Sequence, residues 1–235
     1  MRPIVALTLL ILFPGILSAF LVLGGQLLQA SDVSLPISCG ALLGILLHRY
    51  VLSKIAGYET FVHEMTHAIA ALMLFRRVTD FVATRHQGGY VYYGNGWGGE
   101  LGNEFIGLAP YTLPIFTLFS TLARPLVPQY WFPWFDFFIG VTFGFHLLST
   151  AHQIRLNWTS RRFVRAGAET YIQSDFAQRG CLYSAIGIAC VTTAVHGLLI
   201  AVILYGFPGI ARWGREVGAT AKGTILWTLG HIPLP

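Results

Sequence analysis

The sequence predicts an all-α polytopic membrane protein of about five to six membrane helices, with one small β-hairpin set among them. Three observations predict it. Of 235 residues, 54% are hydrophobic and only 11% charged, and the mean hydropathy of +0.62 is well above what a water-facing surface tolerates. The apolar residues come in long runs. Most of the charges fall in the short stretches between those runs.

No charged residue stands between Arg2 and Asp32, and the run from Pro3 to Ala30 is long enough to cross about 30 Å of hydrocarbon as a helix. Arg2 ahead of an apolar core also fits a signal peptide, but the run exceeds a usual signal core and "LSAF" is a poor cleavage signal. Further apolar runs cover about 38–53, 58–75, 105–123, 130–154 and 180–207. They leave no room for a separate water-soluble domain, so residues 1–235 read as one membrane-embedded domain with its core at 58–207.

Within 76–104, "DFVATRHQGGYVYY" has two strand-prone arms about Gly88 and Gly89, which predicts a tight hairpin. The following "GNGWGGELGN" has neither phosphate-loop nor dinucleotide spacing and reads as a flexible connection. The tail from 208, with Trp213, Trp227 and scattered basic residues, reads as interfacial. Cys39, Cys181 and Cys190 lie in or beside apolar runs without paired metal spacing, and are expected to be small buried side chains.

Five arginines (155, 161, 162, 165, 179) against Glu169 and Asp175 mark the segment before the last apolar run as cytoplasmic. Counting crossings backwards puts 76–104 and the N-terminus on the same side, provided that 38–75 makes one net crossing. Either one long helix does this, or a crossing helix that breaks near Ala56 and Gly57 and continues partly inserted. The pI near 9.3 does not imply nucleic acid, because the arginines are spread over short loops instead of one face. The expected partner is the lipid bilayer.

Inside one apolar run stands "HEMTH", residues 63–67. On a helix, positions four apart differ by about 400° of turn and about 6 Å of rise, so His63 and His67 project from one face and two imidazoles can grip one ion. Glu64 lies about 100° round, placed to reach a water on that ion but not to ligate it together with both histidines. Such a set suits zinc hydrolysis: the metal acidifies a water and the carboxylate takes its proton. As packed polar side chains alone, three such groups in five residues would be costly in hydrocarbon, at roughly 2.5–3.5 kcal/mol for an acid at mid-depth.

A catalytic zinc usually takes three protein ligands. Asp175 is the first candidate for the third, because it heads the run near Gly180 on the face assigned to the cytoplasm, at a depth matching that of His63. Glu104 is the alternative; it follows an asparagine, as does the glutamate ligand of thermolysin-like metallopeptidases. Asp136 falls at the opposite end of its helix. His146 and His152 are six apart and face different directions, with His146 open to a role in substrate contact or in support of a ligand. His48, His86, His196 and His231 show no partner spacing and read as structural.

The chain resembles the site-2 protease type of intramembrane zinc metallopeptidase, in a small bacterial branch without PDZ or CBS segments. "HEMTHAIAALMLF" with the hairpin after it, "FIGLAPYTLPIFTLF", "FGFHLLSTAHQ" and "IQSDFAQRGCLYS" carry the resemblance, over roughly residues 60–190. It implies that His63, His67 and Asp175 hold one Zn2+, that Glu64 is the base, and that Asn103 contacts substrate. The aspartate of better-known members stands in "LDG" or "NPDG"; here the setting is "QSDF". The implied reaction is hydrolysis of a peptide bond in a membrane-protein or peptide substrate, at a multi-pass site in a bacterial inner membrane. Membrane prenyl-protein proteases are the nearest enzymatic rival and would use Glu104 as ligand. Membrane zinc transporters carry a similar "HEIPHE", whereas this chain has "HEMTHA" and only His48 on the run before it.

Overall fold

The computed structural model describes residues 2–85, 88–159, 164–166, 170–172 and 179–230. Eight α-helices are described: α1 (Arg2–Gln29), α2 (Ser31–Tyr50), α3 (Tyr58–Met73), α4 (Gly99–Thr112), α5 (Ile115–Ala123), α6 (Phe132–Thr159), α7 (Cys181–Tyr205) and α8 (Pro208–Gly230). Between α3 and α4 the strands β1 (Val78–Ala83) and β2 (Gly89–Tyr93) form the expected antiparallel hairpin. A second antiparallel pair, β3 (Val164–Ala166) and β4 (Thr170–Ile172), falls in the arginine-rich segment. Strands of three residues are too short to show an alternating pattern, which is why sequence reading passed over them.

Helices α1, α2, α6 and α7 are long and apolar enough to cross a membrane, and the bent pair α4–α5 makes five if counted as one broken span. The 86° bend falls at Leu113 and Pro114. Proline lacks the N–H that would continue the ladder and forces the residue before it out of helical conformation; Leu113 is accordingly extended.

Glycine lets α2 and α6 pack backbone to backbone. A Cβ on Gly40 or Gly44 would strike the carbonyl oxygens of Phe137 or Val141, and one on Gly140 or Gly144 those of Ile37 or Ala41. Small residues four apart are what permit such close approach between apolar helices. Residue numbers rise together across the contact, so the two helices run parallel. α1 and α7 are parallel as well: Cys190 Sγ reaches Leu9 O at 3.6 Å, and Tyr205 Oη donates to Gln26 Oε1 at 2.6 Å. Arg124 then joins the start of α6 to the end of α7, through Asp136 at 2.5 and 2.9 Å and Ile203 O at 2.9 Å. Thus α1 and α7 start at the end where α2 and α6 finish, the alternation that the crossing count assumes.

Three expectations need correction. The tail from 208 is helix α8, packed on α1 and α7, and Trp213 is buried because Gly197 leaves room for its indole; the side chain of Trp227 lies outside the described residues. Cys39 and Cys181 are exposed on the outer faces of α2 and α7, and only Cys190 is buried, since an apolar run places residues on lipid-facing and inward faces alike. The glycine-rich segment is a packed cradle instead of a loose connection. Buried Arg76 donates to Asn103 Oδ1, to Gly99 O at 2.6 Å and to Trp97 O at 3.3 Å. A Cβ on Gly102 would lie 2.6 Å from the Arg76 guanidinium, so the glycines are there to admit an arginine.

Candidate metal centre

Helix α3 begins after a break. α2 stops at Tyr50, a single 3-10 turn covers Leu52–Lys54, and Gly57 takes φ +83 before the new helix starts at Tyr58. The break is the one expected near Ala56 and Gly57 in the second arrangement for 38–75. Ala70 and Ala71, both fully buried, let α3 lie close against Ile106, Ala109 and Leu113 of α4–α5. That packing fixes the rotation of α3, and with it the direction in which its polar face points.

His67 Nδ1 lies 2.8 Å from Ile106 O. A carbonyl only accepts, so Nδ1 carries the proton and Nε2 is left as the bare nitrogen. That Nε2 stands 3.2 Å from Nε2 of His63, with the rings at 80°. Two imidazole nitrogens each about 2.0–2.1 Å from a tetrahedral zinc would be about 3.3–3.4 Å apart. The donor pair therefore fits a zinc ion, and the Ile106 carbonyl is the kind of outer partner that orients a ligating histidine. Tyr111 of α4, fully buried, closes the far side of His63 with ring centroids 5.5 Å apart.

Glu64 is buried under the hairpin. A Cβ added to Gly89, the first residue of β2, would sit 2.5 Å from Glu64 Cγ and 2.9 Å from its Cδ. The hairpin is thus a roof over the motif, running along α3 with Arg85 beside Gly57.

Asp175 lies outside the described residues, as do His86 and His231. Among the described residues no group of three or more His, Cys, Asp or Glu side chains is arranged to hold a metal ion. Glu104 faces two arginines, Arg2 at 2.8 Å and Arg179 at 3.2 Å. The Asn103 side chain accepts from Arg76. Asp136 is buried at the opposite end of α6 against Arg124. His146 stacks on His196 at 6.1 Å, and His196 donates to Thr192 O.

A family model of Peptidase M50B-like proteins matches residues 37–166, more than half of the chain. The chain belongs to the Peptidase M50B-like family. Membership implies a peptidase and, with the apolar helices, a membrane-embedded one. The match takes in His63, Glu64, His67, Asn103, Glu104 and His146 and ends before Asp175. No curated protein and no solved structure matches the chain.

In this M50B-like chain a cleft opens beside His63, between α3 on one side and α6 on the other, with the α4–α5 break closing its end. Glu59, His63 and Thr66 line it from α3, and Thr142, His146, Ser149 and Gln153 from α6. Glu59, one turn before His63, meets His48 Nε2 at 3.2 Å and His152 Nε2 at 3.4 Å. Sequence reading left His48 without a partner because its partners come from other helices. Ile106 contributes only a backbone oxygen, and its mark in the sequence is Pro110, four residues on in the same helix, which has no N–H to offer that carbonyl. Gly89 serves more than the turn, and a glycine in a strand often signals another group approaching closely.

Proposed function

We propose that this M50B-like chain is a zinc-dependent intramembrane endopeptidase that hydrolyses a peptide bond of a membrane-protein substrate. The observation that carries the reading is the facing pair of Nε2 atoms on His63 and His67, 3.2 Å apart, with the His67 tautomer set by Ile106 O. His63 and His67, with Asp175 as third ligand, hold the zinc. When bound, the metal would supply Lewis acidity that lowers the pKa of a water toward neutrality.

Glu64 accepts the proton of the attacking water and returns it to the leaving amide nitrogen. Its burial under Gly89 restricts the movement of the side chain. Tyr111 and the Ile106 carbonyl keep both imidazoles in place while charge develops. A transmembrane helix protects its amides by internal hydrogen bonds, so the substrate must unwind locally before water attacks. The cleft between α3 and α6 gives the extended segment a path to His63, and His146 lines it as a substrate contact. An edge of the β1–β2 hairpin offers backbone hydrogen bonds to the same segment.

Metal analysis of detergent-purified protein, paired with cleavage of a membrane peptide, tests the reading. One zinc per chain is expected. His63→Ala, His67→Ala and Asp175→Ala should lose zinc and cleavage together. A metal-free, active wild type would overturn the proposal.

A further inference from the structure

Helix α8 is fixed at membrane depth, and its outer face does not suit lipid. A Cβ on Gly209 would strike Ala201 O, the Trp213 indole fills the space beside Gly197, and a Cβ on Gly15 would meet the backbone of Ala221. Residue numbers fall along α7 and α1 as they rise along α8, so α8 runs back beside both. Gly197 lies eight residues, about 12 Å, before the end of α7 at Tyr205, and Arg215 lies about 3 Å further in than Trp213. Since α7 is about 37 Å long, Arg215 and Glu216 stand near its middle. At 23 residues α8 is long enough to cross a membrane, but it is not apolar enough to count among the spans. Arg215, Glu216 and Lys222 are exposed, and among the described residues none of the three forms an ion pair. Lys222, about 10 Å nearer the arginine-rich end, has a stem long enough to bring its ammonium toward the headgroups. Arg215 and Glu216 are too deep for that, and charges held at such depth turn to a polar partner.

Glu216, Ala219, Gly223 and Leu226 are spaced 3, 4 and 3 apart, the repeat of a seam between two parallel helices. All four are exposed. Nothing lies within 4 Å of a Cβ at Gly223, and small residues at two of the four places admit a close neighbour. The charges identify that neighbour. A second copy of the chain, related by a twofold axis along the membrane normal, brings up an identical helix in parallel and at the same depth. In a parallel seam the side chain at 216 packs against the residue that precedes 216 on the other helix, which is the partner's Arg215. Symmetry makes the pairing twice, so both charges are met without a foreign protein. We propose that the chain pairs with a second copy through this stripe of α8, with Glu216 of each copy accepting from the partner's Arg215. α8 supplies no lining of the cleft beside His63, so pairing leaves the path to the motif open. The inference goes beyond the zinc reading and holds whether or not the chain binds metal.

Light scattering of the full chain in mild detergent is expected to give twice the chain mass. In phosphatidylcholine vesicles, with the exposed Cys39 and Cys181 replaced by serine, Ala219→Cys and Gly223→Cys should each give a disulfide-linked pair on mild oxidation. Gly214→Cys, exposed but about 140° round the helix from Ala219, should not. Glu216→Arg sets cation against cation and should weaken pairing by at least about 30-fold, as the loss of a buried charge pair does at interfaces. Adding Arg215→Glu to it exchanges the two charges and should restore pairing, which it would not do if Glu216→Arg had merely damaged the fold. The vesicle result decides if detergent separates the pair. A single-chain mass together with no link through Ala219→Cys or Gly223→Cys would overturn the proposal. Linking through Gly214→Cys as strong as through Ala219→Cys would mean random collision, and would overturn it too. Pairing that survives Glu216→Arg, or that the exchanged charges fail to restore, would mean that the copies meet on another face, which also overturns the seam.

Discussion

Gly89 and Glu64 are in contact across the roof of the motif, at a distance that admits hydrogen and nothing larger at residue 89: a Cβ there would lie 2.5 Å from Glu64 Cγ and 2.6 Å from Val82 O. The hairpin cannot yield on the Val82 side without breaking its own ladder. Gly89→Ala is therefore expected to push Glu64 aside while leaving both imidazoles where they are. A misplacement of about 1 Å at a catalytic group costs about 100-fold in rate. Cleavage should fall by that order with zinc content unchanged, and an unimpaired Gly89→Ala enzyme would show that Glu64 tolerates displacement.

Glu64→Gln keeps the volume and removes the proton acceptor. Zinc should stay bound, since the proposed ligands are elsewhere, and the cleavage rate should drop by about 100- to 10,000-fold, the usual contribution of a general base. Rate and metal content measured on one preparation check this.

The hairpin register identifies which amides point outward. Thr84 N donates to Gly88 O at 3.0 Å, and bonded pairs recur every second residue, so the Phe81–Val91 pair is not bonded across the ladder. Their N–H groups face the two outer edges, and that of Phe81 is taken by Asp80 Oδ1 at 2.8 Å. Proline at 81 or at 91 removes the outward N–H of its edge and spares the ladder. Docking of substrate on an edge predicts that one of the two variants loses cleavage of a membrane peptide with zinc retained; full cleavage by both would end the docking idea.

At Gly140 a methyl group would meet the Ile37 carbonyl oxygen, and backbone cannot swing away as a side chain can. Gly140→Ala should force α2 and α6 apart and cost about 1–3 kcal/mol, the usual penalty of overpacking. Thermal unfolding in detergent measures it.

Asp136→Ala separates stability from metal binding. It strands the buried Arg124 charge, for a loss of about 3–5 kcal/mol. Zinc stoichiometry at low temperature should not change, because Asp136 is held by Arg124 at the start of α6 and does not line the cleft beside His63. A coupled loss of metal would mean that the two ends of the bundle communicate.

The sequence by itself determined whatever depends on short-range periodicity and composition. Apolar runs fix the long helices, because every backbone group in hydrocarbon must bond within its own segment. The i, i+4 spacing puts His63 and His67 on one face, because helical rise and twist are the same everywhere. Gly88 and Gly89 between strand-prone arms fix the hairpin. Tertiary structure alone decided what surrounds these features. That Ile106 lends a carbonyl to His67, that Gly89 presses on Glu64, that Glu59 gathers His48 and His152, and that Arg76 fills the glycine-rich segment are all contacts between residues distant in the chain. They depend on how helices rotate and cross as side chains pack. A backbone oxygen or a missing Cβ carries no mark in the sequence of the partner that will come to use it.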